Sequence, residues 1–490
     1  MITSLLVEIT FAQGFNTNWL LDYQGVKSRI VFTDISYLIT HEIRIIPFSD
    51  TQANISDENG NILMSSNGYF VADATGDTMQ NGSGLNPNQC TYDYGHQWGL
   101  PMLYANIFLP MPDDSNKYVL FHQTCNYNSL TLTDSNIFYS IIDIALNSGL
   151  GSVISKNNIA AHNSFGTGIT ACKHGNGRDW WVFAFNDSAN YVYKFLITPD
   201  TIQYIGSQFL NVQGLPAWTG QPTFSPDGTK FAYSHYDISM GYYWQDIRLF
   251  DFDRCSGNFT FNSIAYLPDS VGGFGVAFSS NSRYLYVSSW KRIYQLDTYS
   301  SNIAASMQLV AINDSFPSPT PPFYTDFWEM YLAANGKIYL TSGSSVLHLH
   351  EINFPNNMGM ACDVQLHNVY IGDFNFRTVP NHPNYYLGRL INSSCDTLTS
   401  ISEISPHDFK FSISPNPNNG SFKIIYLLPQ NKSGTLQIFD ITGKEVFRQN
   451  LSPWSTMQYI SLPKLANGIY NCTITSNNER VHKKLVILKE

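Results

Sequence analysis

The chain has few charged residues, no closely spaced cysteine pairs and no long apolar runs. Only 13% of its 490 residues are charged, against a usual share of about 25%, which argues against a coiled coil or a charge-rich disordered chain. The net charge of −10 argues against a nucleic-acid binder with a basic footprint. No apolar run reaches the roughly 18 residues of a transmembrane helix. Asn, Ser, Thr, Tyr and Gly are abundant instead, which is typical of a secreted all-β protein.

Sequence signatures of common active sites are also missing. The chain contains no CxxC pair, P-loop, Rossmann fingerprint, GxSxG elbow or Asp-rich calcium loop, so no cofactor or metal is indicated. The sequence leaves enzymatic activity undecided and favours its absence.

Residues 1–12 allow two interpretations. The stretch from Ile2 to Phe11 is mostly apolar, and Ala12 precedes Gln13 as in a small-x-small cleavage site. A basic start is missing and Glu8 interrupts the apolar stretch, as in an ordinary buried strand. We favour the remnant of a signal peptide whose start lies upstream of Met1.

A repeat of about 50 residues runs through most of the chain, the length of a four-stranded propeller blade. Each copy has a strand, a turn rich in Asn, Asp or Gly, a β-branched and aromatic strand, and a third strand. The clearest copies begin at Pro222, Gly275 and Met330, and weaker ones at Ser56, Pro112 and Asn176. The pattern predicts a seven-bladed β-propeller over residues 13–398. An N-terminal strand near Arg29–Thr33 is expected to close it by pairing with strands near the C-terminal end of the propeller.

The Ser225-Pro-Asp-Gly-Thr-Lys230 turn resembles the repeats of bacterial TolB-like and WD-type propellers. Ile55–Leu63, Lys173–Trp181 and Pro380–Gly388 with Cys395–Leu398 resemble a family of secreted propeller proteins of the Bacteroidota. This resemblance implies a fold and a compartment but no particular activity. Cys362 and Cys395 flank the last repeat, and together with the resemblance around Pro380–Leu398 they predict a disulfide that closes a loop of about 33 residues.

The last 80 residues have a different pattern. After a polar linker at residues 399–408, short strands alternate with Asn, Gly and Pro turns at a spacing of about ten residues, as in a small immunoglobulin-like β-sandwich. Four motifs follow one another: a Pro-Asn-Pro-x-x-Gly turn, an Asp-x-x-Gly-Lys hairpin, a Leu-x-x-Gly-Ile-Tyr segment and a basic last strand. Their residues are Pro415, Asn416, Pro417, Gly420, Asp440, Gly443, Lys444, Gly468, Tyr470, Lys483 and Lys484.

Residues 409–490 closely resemble the type A C-terminal sorting domain of the type IX secretion system. The resemblance implies export through the periplasm, an interaction with the type IX machinery, and removal of the domain by proteolysis. The product is then released or attached to the cell surface. The alternative is a sandwich appended for ligand binding.

Other candidate residues have ordinary explanations. His348 and His350 with Glu351 lack a third metal ligand at a recognisable spacing, so a solvated or channel-facing pair is favoured. Cys172 and His174 lack an orienting third group. Asp251 and Asp253 are expected to cap a turn rather than to act in a glycosidase.

Aromatic residues are the remaining signal for a ligand. Trp98 lies in a Gly- and Tyr-rich loop, and Tyr242, Tyr243 and Trp244 lie between two strands of a blade. Exposed aromatic rings stack on sugars or fill protein pockets. The sequence therefore favours a surface or secreted propeller that binds an unknown glycan or protein. The alternative is a secreted hydrolase acting on polysaccharide or peptide in the propeller funnel.

Overall fold

The structure is a computed structural model. The residues that it describes are 14–33, 36–123, 135–186, 190–210, 212, 218–237, 244–268, 272–318, 323–391, 393–396, 411–426, 428, 433–451, 457–476 and 479–489. The predicted signal-peptide remnant and the predicted linker lie outside the described residues.

Up to residue 396 the described chain consists of antiparallel meanders, in which consecutive strands pair with each other. The first sheet has three strands: β1 (Asn18–Leu20), β2 (Lys27–Phe32) and β3 (Tyr37–Glu42). The next two meanders are β4 (Ala53–Ser56), β5 (Ile62–Ser66), β6 (Phe70–Ala72), β7 (Thr78–Ser83), and β8 (Asn106–Pro110), β9 (Lys117–Gln123), β10 (Ser135–Asp143), β11 (Ser152–Asn163). A parallel bridge between Gln80 and Ser152 joins their outer strands into one eight-stranded sheet.

Four separate four-stranded sheets follow. They are β12 (Phe165–Lys173), β13 (Trp180–Asn186), β14 (Tyr191–Ile197), β15 (Ile202–Phe209); β16 (Trp218–Phe224), β17 (Lys230–Asp237), β18 (Trp244–Asp253), β19 (Asn258–Tyr266); β20 (Val276–Phe278), β21 (Tyr284–Ser288), β22 (Arg292–Asp297), β23 (Gln308–Ile312); and β24 (Met330–Leu332), β25 (Ile338–Leu340), β26 (Val346–Ile352), β27 (Val364–Asn375). The described helices are single turns: Thr91–Gly95, His96–Trp98, Asn147–Gly149, Ala304–Ser306 and Gly359–Cys362.

The cores lie between successive sheets. Phe183 of β13, for example, packs with Phe231 and Phe250 of the following sheet. Trp19 and Ile371 belong to a cluster that joins the first sheet to the last. The first strands of successive four-stranded meanders contact one another at the centre. The result is a β-propeller-like all-β arrangement whose first and last sheets touch.

The expected closure is wrong in detail. β2, which contains Arg29, pairs with β1 and β3 rather than with a C-terminal strand. Its link to the last sheet is side-chain packing together with a hydrogen bond from Ser28 Oγ to the Ile371 carbonyl oxygen, 2.7 Å. The sequence pattern correctly indicated a strand at this position. It could not specify the partner strand, because several neighbouring strands present equivalent backbone hydrogen-bonding groups.

A stretch of the chain that we name the threaded segment, residues 376–391, passes through the centre of the ring and leaves a cavity on the side of β16, β20 and β24. Asn381 Nδ2 donates to the carbonyl oxygens of Asn106 on β8 (3.2 Å) and Ile169 on β12 (2.8 Å). His382 Nε2 donates to the carbonyl oxygen of Asn54 on β4 at 2.7 Å. Tyr385, 5% exposed, donates from its hydroxyl to the Phe108 carbonyl oxygen on β8. A single segment therefore bonds to the innermost strands of three meanders.

The threaded segment runs from one face of the ring to the other. It starts beside the β25–β26 turn, where the Arg377 amide donates to the Ser342 carbonyl oxygen at 3.2 Å. It ends beside the β12–β13 turn, where the Leu390 amide donates to the Gly175 carbonyl oxygen at 2.6 Å. In the four-stranded meanders, turns after second strands and turns after first strands lie at opposite ends. We call the two ends the upper face and the lower face, respectively.

A disulfide holds the lower end of this segment. Cys395 bonds to Cys255 of the β18–β19 turn, with a Cα–Cα distance of 5.4 Å. The predicted Cys362–Cys395 pair is therefore wrong. Cys362 is a free, fully buried thiol that packs in the core between the last two sheets, whereas Cys395 emerges at the lower face. Cys90 is also disulfide-bonded.

The C-terminal module is a separate two-layer unit. One sheet contains β28 (Phe411–Ser414), β29 (Ser421–Tyr426) and β32 (Met457–Ser461). The other contains β31 (Glu445–Leu451), β30 (Gly434–Phe439), β33 (Gly468–Ser476) and β34 (Glu479–Ile487). Phe422, Ile438 and Leu485 are among the residues of its own core. Lys423 Nζ donates to the Ala334 carbonyl oxygen at 3.3 Å, and Met457 packs against Gly336, so the three-stranded sheet contacts the lower face of the ring.

Replacing Cys255 and Cys395 together by serine should lower the free energy of unfolding by about 2–5 kcal/mol, because the bond restricts the unfolded chain and fixes the end of the threaded segment. Urea denaturation measures this loss. Cys362→Ser, at a free thiol, is the matched control and should leave the disulfide-linked peptide intact in a non-reducing digest. Recovery of a peptide linking Cys362 to Cys395 would contradict the assignment.

Candidate functional site

The upper face carries a continuous row of ring contacts that begins at Trp98. This side chain is 41% exposed, at the end of the His96–Trp98 turn. Its ring centroid lies 5.9 Å from that of Tyr23, and Tyr23 lies 6.3 Å from Phe376. The Tyr23 hydroxyl is 2.7 Å from Ser345 Oγ in the β25–β26 turn. The first half of the row is thus anchored to the upper face of the last sheet.

Arg377 links this half to a second aromatic group. Its guanidinium carbon lies 4.4 Å from the ring centroid of Phe376 and 5.2 Å from that of Trp328. Trp328 is buried and contacts Phe274 at 4.3 Å and Trp290 at 5.9 Å between centroids. Trp290 is 43% exposed. The row therefore has an exposed tryptophan at each end and a cation between aromatic faces in the middle.

We call this set the aromatic arc. Its members are Trp98, Tyr23, Phe376, Arg377, Trp328 and Trp290.

Carboxyl groups surround the centre of the aromatic arc. Asp50 Oδ1 lies 3.5 Å from Arg377 Nη1, and burial raises the pKa of Asp50. Asp326 Oδ1 accepts the Gly343 amide at 2.5 Å, and burial raises the pKa of Asp326 to about 6 against the opposing effects of that bond and of Arg377. At neutral pH one cation thus faces carboxylates that are costly to ionise.

Glu329 lies deeper, fully buried next to the Tyr104 hydroxyl. Burial raises its pKa well above the usual value, while Tyr104 opposes this shift. Neither carboxyl oxygen has a hydrogen bond of good geometry among the described residues. Burial thus favours the protonated form of this carboxyl group, which has no exposed surface that would give a ligand direct access.

The sequence-predicted aromatic residues have different outcomes. Trp98 belongs to the aromatic arc. Tyr242 and Tyr243 lie outside the described residues, and Trp244 is the first residue of β18. Sequence reasoning missed Trp290 and Trp328, although both lie at the edges of recognised repeat strands. Arg377 could not have been found, because only the threaded segment brings it between the rings.

The ordinary explanations of the other candidates fail at His350 and at Asp251. Asp251 lies within β18, and its carboxylate accepts from Lys230 Nζ at 3.4 Å and from Asn262 Nδ2 at 2.9 Å instead of capping a turn. Within the described ranges no group of three His, Cys, Asp or Glu side chains is placed to hold a metal ion. His348 lies 2.5 Å from Ser318 Oγ, but His350 is fully buried rather than solvated. Burial raises the pKa of the Cys172 thiol to about 12, which disfavours a nucleophilic thiolate. Asp253 caps its turn by accepting the Cys255 amide at 2.9 Å.

The motif residues of the C-terminal module shape its turns and edges. Asn416 lies between Pro415 and Pro417, and its side chain donates to the Lys484 carbonyl oxygen and accepts the Val486 amide, both at 2.7 Å. The Asn416 side chain thus forms two of the hydrogen bonds that a neighbouring strand would otherwise form with the edge of β34. A Cβ on Gly420 would lie 2.7 Å from the Leu462 carbonyl oxygen, which explains the glycine.

The remaining motif residues are also placed. Asp440 Oδ1 accepts the amides of Thr442 and Lys444, and Gly443 supplies the positive φ of 82° that this turn requires. The Tyr470 hydroxyl donates to the Ala466 carbonyl oxygen at 2.9 Å, over the turn that leads into Gly468. Lys483 and Lys484 are exposed on β34.

Residues 412–488 match the family described as "Secretion system C-terminal sorting domain". The predicted sorting domain is confirmed, and with it the type IX secretion route. The protein is secreted, with outer-membrane attachment as one outcome of that route. Among the described residues, no helix is long and apolar enough to cross a membrane.

Solved structures give only weak similarities. A putative 6-phosphogluconolactonase from Bacteroides uniformis is 12% identical, with 91% of this chain and 100% of that chain covered and a TM-score of 0.38. An oligogalacturonate lyase in complex with manganese is 12% identical over 68% and 85%, TM-score 0.35. The Nup133 β-propeller domain of Vanderwaltozyma polyspora is 8% identical over 66% and 96%, TM-score 0.31. At these scores the similarities carry no functional argument. No curated protein matches the chain.

Asp326→Asn should stabilise the protein at pH 7.5 but not at pH 3.5. The pKa of Asp326 is raised from 3.8 to about 6, so the wild type loses stability as pH rises through this interval, whereas asparagine does not titrate. The variant should gain about 1–3 kcal/mol at the higher pH, since a tenfold change in a proton-binding constant corresponds to about 1.4 kcal/mol. Urea denaturation at both pH values measures this. An equal difference at both would refute the buried-carboxylate interpretation.

Proposed function

We propose that the protein is an exported binding protein whose residues 13–398 form a seven-bladed β-propeller and whose ligand, a glycan or a protein, binds at the aromatic arc. On this proposal residues 409–490 form an immunoglobulin-like sandwich that serves only delivery. The observation that carries the binding function is the exposure of Trp98 and Trp290 at the two ends of one row of ring contacts.

The seven-bladed arrangement is supported by the order of the sheets. The three-stranded first sheet, the two meanders of the eight-stranded sheet and the four separate sheets add up to seven units. Hydrophobic clusters lie between neighbours around the ring, including the cluster shared by the first and last sheets. Closing the ring removes sheet edges that would otherwise invite aggregation.

The position of the aromatic arc supports a role in recognition. The sorting domain contacts the lower face through Lys423 and Met457, so its described residues leave the upper face uncovered. Tryptophan, tyrosine and arginine are the residue types enriched where binding energy is concentrated, and the aromatic arc contains all three. The rings of Trp328 and Trp290 lie within 27° of parallel, and the exposed Trp290 offers a stacking platform.

A secreted hydrolase acting on polysaccharide or peptide is the second candidate. Asp50, Asp326 and the buried Glu329 gather around Arg377, and the pKa of about 6 of the Asp326 carboxyl group suits general acid catalysis. The cavity that remains beside the threaded segment in the centre of the ring has no Asp or Glu in its lining, which favours binding. Turnover of glycan or peptide libraries that is lost in Asp326→Asn would favour the hydrolase.

Trp290→Ala should weaken binding to the ligand about 3- to 10-fold, since an aromatic contact contributes about 0.5–1.5 kcal/mol. The purified protein is first screened on glycan and surface-protein arrays, and the variant is then titrated against the hits. Tyr266→Ala removes a ring of 62% exposure from the outer strand β19, and this matched control should bind normally. If both variants bind equally well, the aromatic arc is not the site.

Deleting residues 409–490 should leave a folded propeller in the periplasm, because the sorting domain has its own core and the ring does not need it for closure. Fractionation and immunoblotting in a host with a type IX system measure the location. The reciprocal fusion, a signal peptide and a foreign protein followed by residues 409–490, should reach the surface. Export of the truncated chain would overturn this role.

A further inference from the structure

The outer face of the four-stranded sheet in the sorting domain has a row of basic side chains. On β34, alternation places Arg480, His482 and Lys484 on the side opposite to Val481 and Leu485, which face the core. The register sets the three basic residues directly across from Thr475, Thr473 and Asn471 on β33. They therefore form one line along the edge strand.

An apolar groove runs beside this row. It has a volume of about 590 Å³ and is lined by Ile441, Ile469 and Tyr470 together with the basic row. Ile441 is 84% exposed and Ile469 48% exposed. Two isoleucines exposed next to cations form an apolar patch with a polar rim, as in docking sites for protein partners.

The positive charge of the row is not neutralised within the described residues. Neither Arg480 nor Lys484 makes an ion pair there, and Arg480 only approaches the Phe439 ring, at 6.0 Å from its centroid. Asp440 borders the groove, but its Oδ1 is taken by the Thr442 and Lys444 amides of its own turn. The groove thus offers apolar surface and a row of three basic side chains, with the single carboxylate of Asp440 at its border.

The groove faces away from the propeller. The ring is contacted by Lys423 of β29 and Met457 of β32, which belong to the other sheet of the module. Near the groove, backbone groups of the β34 edge are already hydrogen-bonded to Asn416. A partner would therefore contact the side chains of the groove rather than add a strand to this edge. Within the described part of the chain, the propeller therefore does not cover the groove.

We propose that this groove, lined by Arg480, His482, Lys484, Ile441 and Ile469, is where the sorting domain docks on the secretion machinery, and that its partner is an acidic protein segment with an apolar side chain. The carboxylates meet the basic row and the apolar side chain lies between the two isoleucines. The inference does not depend on the ligand proposed for the aromatic arc.

The test uses the full-length protein in a host with a type IX system. Arg480→Glu and Lys484→Glu should each reduce the exported fraction roughly tenfold or more, because like charges facing each other across an interface cost several kcal/mol. Lys464→Glu makes the same charge change at an exposed turn of the same domain outside the groove and should export normally. The retained protein should be soluble and folded in the periplasm.

Two further measurements keep the outcome decisive. Arg480→Lys preserves the charge and should be exported like the wild type; if it fails together with Arg480→Glu, the role of Arg480 is structural and the proposal is wrong. Normal export of both charge reversals would also overturn it. Binding to phosphatidylglycerol vesicles that the reversals abolish, with export unchanged, would assign the groove to an anionic lipid surface instead.

Discussion

The threaded segment is the constraint on which the rest of the structure depends. Strands β4, β8 and β12 surround a centre where their inner backbone groups and side chains need partners. Asn381, His382 and Tyr385 supply those partners from one extended stretch. The segment therefore fills the side of the centre next to these three strands and leaves a cavity between itself and strands β16, β20 and β24.

The path of the threaded segment also determines where the aromatic arc and the sorting domain lie relative to each other. Because the segment enters at the upper face with Arg377, it brings a cation between Phe376 and Trp328 and completes the aromatic arc. Because it leaves at the lower face near Gly175, the proposed recognition site and the sorting domain lie at opposite ends. The sorting domain contacts the end that the proposed ligand does not use.

Local patterns revealed the fold class and the sorting domain, since alternation and turn chemistry are written in neighbouring residues. The Asn416 motif is an example, because its side chain bonds directly to a strand edge. Long-range pairings were less accessible. Cys395 was matched with Cys362 on spacing and resemblance, but which thiol it meets is decided by the path of the threaded segment to the β18–β19 turn. The site depends on the same path, so the sequence suggested Trp98 but not Arg377.

The bond between Cys255 and Cys395 has a consequence for the finished protein. Any cut made after Cys395 to remove the sorting domain creates a new carboxyl terminus next to a covalent anchor. An exopeptidase that removes residues from this new terminus would soon reach Cys395. The disulfide would then still hold the threaded segment in the centre of the ring. After such a cut, the disulfide would keep the end of the threaded segment attached to the β18–β19 turn and would protect it from further trimming.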